Sequence, residues 1–173
     1  WETLHDRVPG AAPSFCFQNF RRAAGDEPGG HQGMVFQDSD LYKWLEAAAY
    51  SLALAPDAAL RARVDEATAL IARAQQPDGY LRTYYTLEQP GARFDDLTEG
   101  HELYCAGHLF EAAAAMREAT GDDALLSISE RLADCVARHF LPGGDRFGGV
   151  PGHPEVELGL LRLHEVTGAD KYR

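Results

Sequence analysis

The chain has 173 residues, 45% of them hydrophobic, which suits one compact domain with a sizeable core and not a disordered or fibrous segment. Acidic residues outnumber basic ones 27 to 16, for a net charge of -11, and no Lys/Arg-rich run breaks that balance. Nucleic acid and anionic membranes are therefore disfavoured as partners, because phosphate binding draws on clustered cations.

No stretch approaches the roughly 18 consecutive apolar residues of a membrane span. The opening "WETLHDRVPG" does not resemble a signal peptide and carries no initiator methionine, so a processed or trimmed chain is expected. Cys16, Cys105 and Cys135 are odd in number and widely spaced, which argues against a disulfide framework. A cytoplasmic location is expected, or a secreted one if a signal peptide has been removed.

Residues 1–40 read as an irregular lead-in loop, ending in the Gly- and Asp-rich "GDEPGGHQGMVFQDSD". From Leu41, "LYKWLEAAAYSLALA" has apolar residues at helical spacing, with Asp40 or Ser39 as its N-cap. Pro56-Asp57 stops that helix and starts the next, whose positions Leu60, Val64, Ala67, Leu70, Ile71 and Ala74 form one apolar stripe. Together they make a helical hairpin. A long connection with Pro77, Gly79, Pro90, Gly91 and three tyrosines leads to a third helix near His101, which turns at "TGDD" into a fourth. After the Gly-rich "LPGGDRFGGVPGHP", a fifth helix and the turn "TGAD" repeat the order, and the chain stops where a sixth helix would begin.

Helix, short turn, helix, long loop, used three times, predicts an all-α protein: three helical hairpins, about half of an (α/α)6 toroid. Residues 1–173 are thus read as the N-terminal portion of one barrel domain. The short turns "APDA", "TGDD" and "TGAD" join equivalent helix ends and fall on one rim. The opposite rim gathers the N-termini "QDSDLYKW", "HELYCAGH" and "PGHPEVE", bringing Asp38, Asp40, His101, Glu102, His153 and Glu155 together with the loop tyrosines. Polar groups converging over a helical cup, edged by aromatics, suit a hydroxyl-rich ligand.

Simpler roles compete at each position. His101 could be a helix-start residue packed on a neighbouring hairpin, and Asp40 and Glu102 could serve free N–H groups and the helix dipole. His108 and Cys105 read as core-facing, and His31, His139 and His164 as surface or loop residues. A metal reading of "HELYCAGH" places His101, Cys105 and His108 within about 60° on one helix face. The i to i+7 span is about 10 Å, too long for one ion, so no metal ligand is assigned. A helical-repeat interaction module is the rival from another class, although such modules have plainer and shorter loops.

"FQDSDLYKWLEAAAY", "AQQPDGYLRTYY", "HELYCAGHLFEAAAA", "ATGDDALL" and "GHPEVELGLLRLHEVTGADKYR", in this order, resemble the N-terminal part of glycoside hydrolase family 127, the β-L-arabinofuranosidase family. The resemblance implies an (α/α)6 barrel that releases terminal L-arabinofuranose with retention, using a zinc-bound cysteine as nucleophile and a glutamate as acid/base. In that pattern the zinc, cysteine and glutamate belong to the second half of the barrel. No catalytic residue and no cofactor is therefore assigned to this chain, which alone is expected to be inactive. His101 and His153 match the histidines that hydrogen-bond the sugar hydroxyls; Asp38, Asp40, Tyr80 and Tyr104 are further substrate-binding candidates, placed by topology alone. The implied partners are a carbohydrate substrate and either the missing C-terminal half or a second copy, since an open half barrel exposes apolar helix faces. Half of a two-chain enzyme is the remaining alternative.

Overall fold

A computed structural model describes residues 1–173, and its regular elements are all helical. They are α1 (Cys16–Ala23), α2 (Asp38–Leu54), α3 (Ala58–Ala74), α4 (Thr83–Glu88), α5 (Glu102–Thr120), α6 (Ala124–Phe140) and α7 (Glu155–Thr167), followed by a 3-10 turn at Asp170–Tyr172. α2 with α3 and α5 with α6 form two hairpins, and α7 opens the third.

Local chemistry explains where these helices start and stop. Asp57 caps α3, its carboxylate accepting from the backbone N–H of Ala59 at 2.9 Å and Leu60 at 3.0 Å. The expected stripe of α3 is buried from Val64 to Ala74. α5 and α7 end alike: Gly121 and Gly168 take φ of 74° and 69°, a left-handed conformation that glycine adopts without a Cβ penalty. Thr120 and Thr167, just before them, each bond a hydroxyl to the carbonyl four residues back.

α5 lies between α2 and α7, while α6 packs behind α5 and α3 behind α2. This central helix buries twelve residues, mostly Ala, Leu and Phe. Small residues let its neighbours come close. A Cβ on Gly107 would stand 2.3 Å from the Glu155 carbonyl oxygen, and one on Gly159 would stand 2.6 Å from the Gly107 carbonyl oxygen. α5 and the start of α7 therefore touch backbone to backbone, which ties the two N-termini to one rim.

The lead-in is more ordered than the sequence suggests. Within residues 1–40, α1 buries Cys16, Phe17, Asn19 and Phe20 and packs against α3 and α4. Trp1 closes over this region, its ring 5.0 Å from Phe17 and 4.7 Å from Trp44. α2 starts three residues before Leu41, and neither Asp40 nor Ser39 is its N-cap: Gln37 holds that position without a side-chain cap. Ser39 and Asp40 lie inside the first turn, and the Asp38 carboxylate beside them is engaged elsewhere. It accepts from the Thr83 N–H at 2.8 Å and the Thr83 hydroxyl at 2.5 Å, and it pairs with Arg82 at 2.8 Å.

Candidate functional site

α5 begins at a strained point. His101 precedes its first residue with φ 53°, a left-handed conformation that is uncommon away from glycine. There its ring Nδ1 lies 2.6 Å from the Glu99 carbonyl oxygen, and its Nε2 lies 3.3 Å from Nε2 of His153. Since a carbonyl only accepts, His101 Nδ1 carries a proton. In a neutral His101 ring Nε2 then offers its lone pair, and His153 Nε2–H donates to it. Two imidazoles 52 positions apart in sequence, at the N-terminal ends of α5 and α7, thus face each other at the rim, His101 half-buried and His153 exposed.

Aromatic and charged neighbours hold this pair. Phe36 packs at 5.4 Å from the His101 ring. Tyr104 stands edge-on to His101 at 5.6 Å and to His108 at 4.5 Å, and lies 5.1 Å from His153. Lys43 of α2 donates to the Tyr104 phenol oxygen at 2.6 Å. One row deeper, His108 Nδ1 is 3.0 Å from a carboxylate oxygen of Glu155. At that distance a protonated ring would make a salt bridge. Burial, aided by the Lys43 charge, instead pushes the His108 imidazole down to about 4, so the contact is one between a neutral ring and a carboxylate.

His101, Tyr104 and His108 follow the i, i+3, i+7 stripe of α5, and all three are partly open, whereas Leu103, Cys105 and Ala106 between them are buried. The expectation that His108 faces the core is corrected by this placement. Cys105 does face inward: it is 1% exposed, and its thiol donates to the Phe36 carbonyl at 3.5 Å.

Two of the topological candidates leave the rim altogether. Asp38 and Tyr80 are each 1% exposed, so neither can touch a ligand there. Asp38 is fixed by Arg82 and Thr83, as above. Tyr80 donates its hydroxyl to Glu102 beneath Phe94, with the Arg93 guanidinium 4.0 Å from its ring centre. Glu102 also accepts from the Phe94 N–H at 2.7 Å. Burial pushes the Glu102 carboxyl up to about 7 despite those two donors. Asp40 sits half-buried in the first turn of α2, where its negative charge suits the positive helix end. The structure thus brings together His101, His153, Tyr104 and Glu155, and adds Lys43, Phe36 and His108.

A sequence model of the β-L-arabinofuranosidase, GH127 catalytic domain, matches residues 3–173. The chain belongs to glycoside hydrolase family 127. It is 40% identical over 188 aligned positions to a non-reducing end β-L-arabinofuranosidase of Bifidobacterium longum subsp. longum, covering 99% of this chain and 29% of that protein. Its fold is similar to the crystal structure of a GH127 β-L-arabinofuranosidase from Geobacillus stearothermophilus T6, with a TM-score of 0.96 and 52% identity over 99% of this chain and 27% of that one. A second solved GH127 β-arabinofuranosidase matches at TM-score 0.83 and 36% identity, over 92% of this chain and 26% of that one. This GH127 chain therefore spans little more than a quarter of the length of these relatives.

The thiols of this GH127 chain do not fit a zinc-bound nucleophile. Cys16, Cys105 and Cys135 are free and buried, and burial pushes all three thiols up, Cys105 to about 12. No group of three His, Cys, Asp or Glu side chains is placed to hold a metal ion. Of the added rim residues, His108 had a legible signal in its stripe with His101 and Tyr104. Lys43 had none, because one lysine on an amphipathic helix reads as a solvated face.

Proposed function

We propose that this chain supplies the sugar-holding rim of a β-L-arabinofuranosidase that acts with retention, in which His101 and His153 bind hydroxyls of the terminal L-arabinofuranose. The observation that carries the reading is the 3.3 Å approach of the two Nε2 atoms at the joined N-termini of α5 and α7. Between them the rings present both a donor and an acceptor, so an inserted hydroxyl can replace their mutual contact in either sense. Tyr104 supplies an aromatic edge beside them, a common feature of carbohydrate sites, and the net charge of -11 suits a neutral ligand.

The nucleophile, the acid/base and the zinc that the family resemblance implies belong to chain outside these 173 residues. Within them, the residues do one job: they bind and orient the sugar ring. Hydrolysis of p-nitrophenyl β-L-arabinofuranoside, with zinc and reductant present, tests this division of labour. The expected result is no turnover by the 173-residue chain. Turnover that disappears in His101→Ala would place the catalytic groups inside it and overturn the proposal.

The partner in this reading is the remainder of the barrel. An apolar groove between α6, α7 and the 3-10 turn, lined by Val136, Phe140, Leu141, Leu160, Leu161 and Tyr172, is where a completing segment docks. The coverage of only about a quarter of each relative supports that reading over a free-standing interaction module.

A further inference from the structure

We propose that Lys43 is a positioning residue of the rim: its ammonium fixes the Tyr104 phenol and, through that ring, the relative placement of His101 and His153. For its ligand-binding consequences the inference rests on the sugar-site reading above. For its structural consequences it stands alone.

Lys43 lies on α2, one turn after Ser39. Its Nζ donates to the Tyr104 phenol oxygen at 2.6 Å and to the Ser39 hydroxyl at 3.2 Å. Ser39 is fully buried, so the ammonium is tethered at its base to a group that does not move with solvent. The bond to Tyr104 crosses from α2 to α5, over 61 positions of sequence. It is a charge-assisted bond, stronger and more directional than one between neutral groups.

Burial, with the Glu46 charge, pushes the Glu155 carboxyl up, while the Lys43 charge pulls it down. Here the ammonium is directed to a phenol, and that phenol carries the ring that touches all three imidazoles of the rim, at 4.5 to 5.6 Å. With the phenol oxygen held, the Tyr104 ring cannot swing about its side-chain bonds. His101 and His153 then keep a fixed wall. Without Lys43, the ring gains freedom and the two imidazoles lose their common neighbour.

The test compares Lys43→Met, which keeps the aliphatic stem, with Lys43→Arg, which keeps the donor. Ring-proton contacts from Tyr104 to His101 and His153 are followed by NMR in the ligand-free protein, and the His108 titration is followed alongside them. The Met variant is expected to lose both ring contacts and to raise the His108 midpoint from about 4, because a positive neighbour has gone. The Arg variant is expected to restore the contacts. For methyl β-L-arabinofuranoside, affinity is expected to fall about tenfold in the Met variant and to recover in the Arg variant.

Unchanged ring contacts in a folded Met variant would overturn the proposal, whatever happens to its melting temperature. If the Met variant does not fold, Tyr104→Phe removes the acceptor and leaves Lys43 in place. Loss of the ring contacts there supports the proposal, and their retention overturns it. If the wild-type chain binds no arabinofuranoside, the sugar-site reading fails, while the ligand-free contacts still decide the role of Lys43.

Discussion

Glu102 follows the rim histidine directly and is turned inward, where Tyr80 and the Phe94 N–H hold its carboxyl. Its folded-state value of about 7 lies above the ordinary carboxylate range near 4.5. Between those values the folded chain binds the proton that the unfolded chain has released. The stabilising contribution is therefore complete below about pH 4.5 and is lost as pH rises through about 7. A shift of this size corresponds to roughly 3 kcal/mol as an upper bound. Glu102→Gln cannot ionise, so urea midpoints of the variant and the wild type should diverge between pH 5 and 7.5, with the wild type losing ground as pH rises. Parallel curves would show that the buried carboxyl does not titrate in this window. The sequence placed Glu102 at the helix start, but nothing local announced its inward turn, because Tyr80 and Phe94 are supplied by the segments on either side of α4. Asp38 misled for the same reason: topology puts a first-turn aspartate on the rim as a sugar-binding candidate, whereas its real partner Thr83 lies 45 positions away.

At the scale of elements, α5 and α7 are spaced by glycine. Because the clash at Gly107 involves the backbone carbonyl of Glu155, no side-chain rotation can relieve it, and Gly107→Ala must push the start of α7 away from α5. Overpacking of this kind costs about 1–3 kcal/mol. His153 lies two residues before Glu155, so the imidazole pair should separate with the helices. Thermal melting should show the destabilisation, and loss of ring contacts between His101 and His153 should show the separation. A destabilised variant with the pair intact would mean that the loop before α7, and not the helix contact, sets its position. Helices with their own punctuation were legible from sequence: Asp57 for α3, and the Thr-Gly stops of α5 and α7. α1 and α4 were not, because helices of eight and six residues are too short to be stable alone and form only where tertiary contacts hold them.

The whole molecule presents two contrasting surfaces. The rim is polar and titratable, whereas the flank along α6 and α7 exposes Leu141, Leu158 and Leu161 beside the apolar groove. Apolar surface of this kind marks a contact site. The isolated chain should self-associate through it, so sedimentation velocity should show mass rising with concentration and Leu161→Lys should shift the population toward monomer. A wild-type chain that stays monomeric across the range would show that the groove is satisfied without a partner. The toroid was legible because helix, turn and loop recur in order. The rim was legible only in outline, since topology gathers helix ends but does not say which side chains turn inward.

The central claim is that His101 and His153 form one sugar-binding unit. The most direct measurement is a titration of the chain with methyl β-L-arabinofuranoside, followed through the imidazole nitrogen signals. The account predicts saturable shifts at His101 and His153 with a common midpoint, little change at His31, His139 and His164, and no saturation in His101→Ala. Shifts absent from both rim histidines, or saturation that survives His101→Ala, would contradict it.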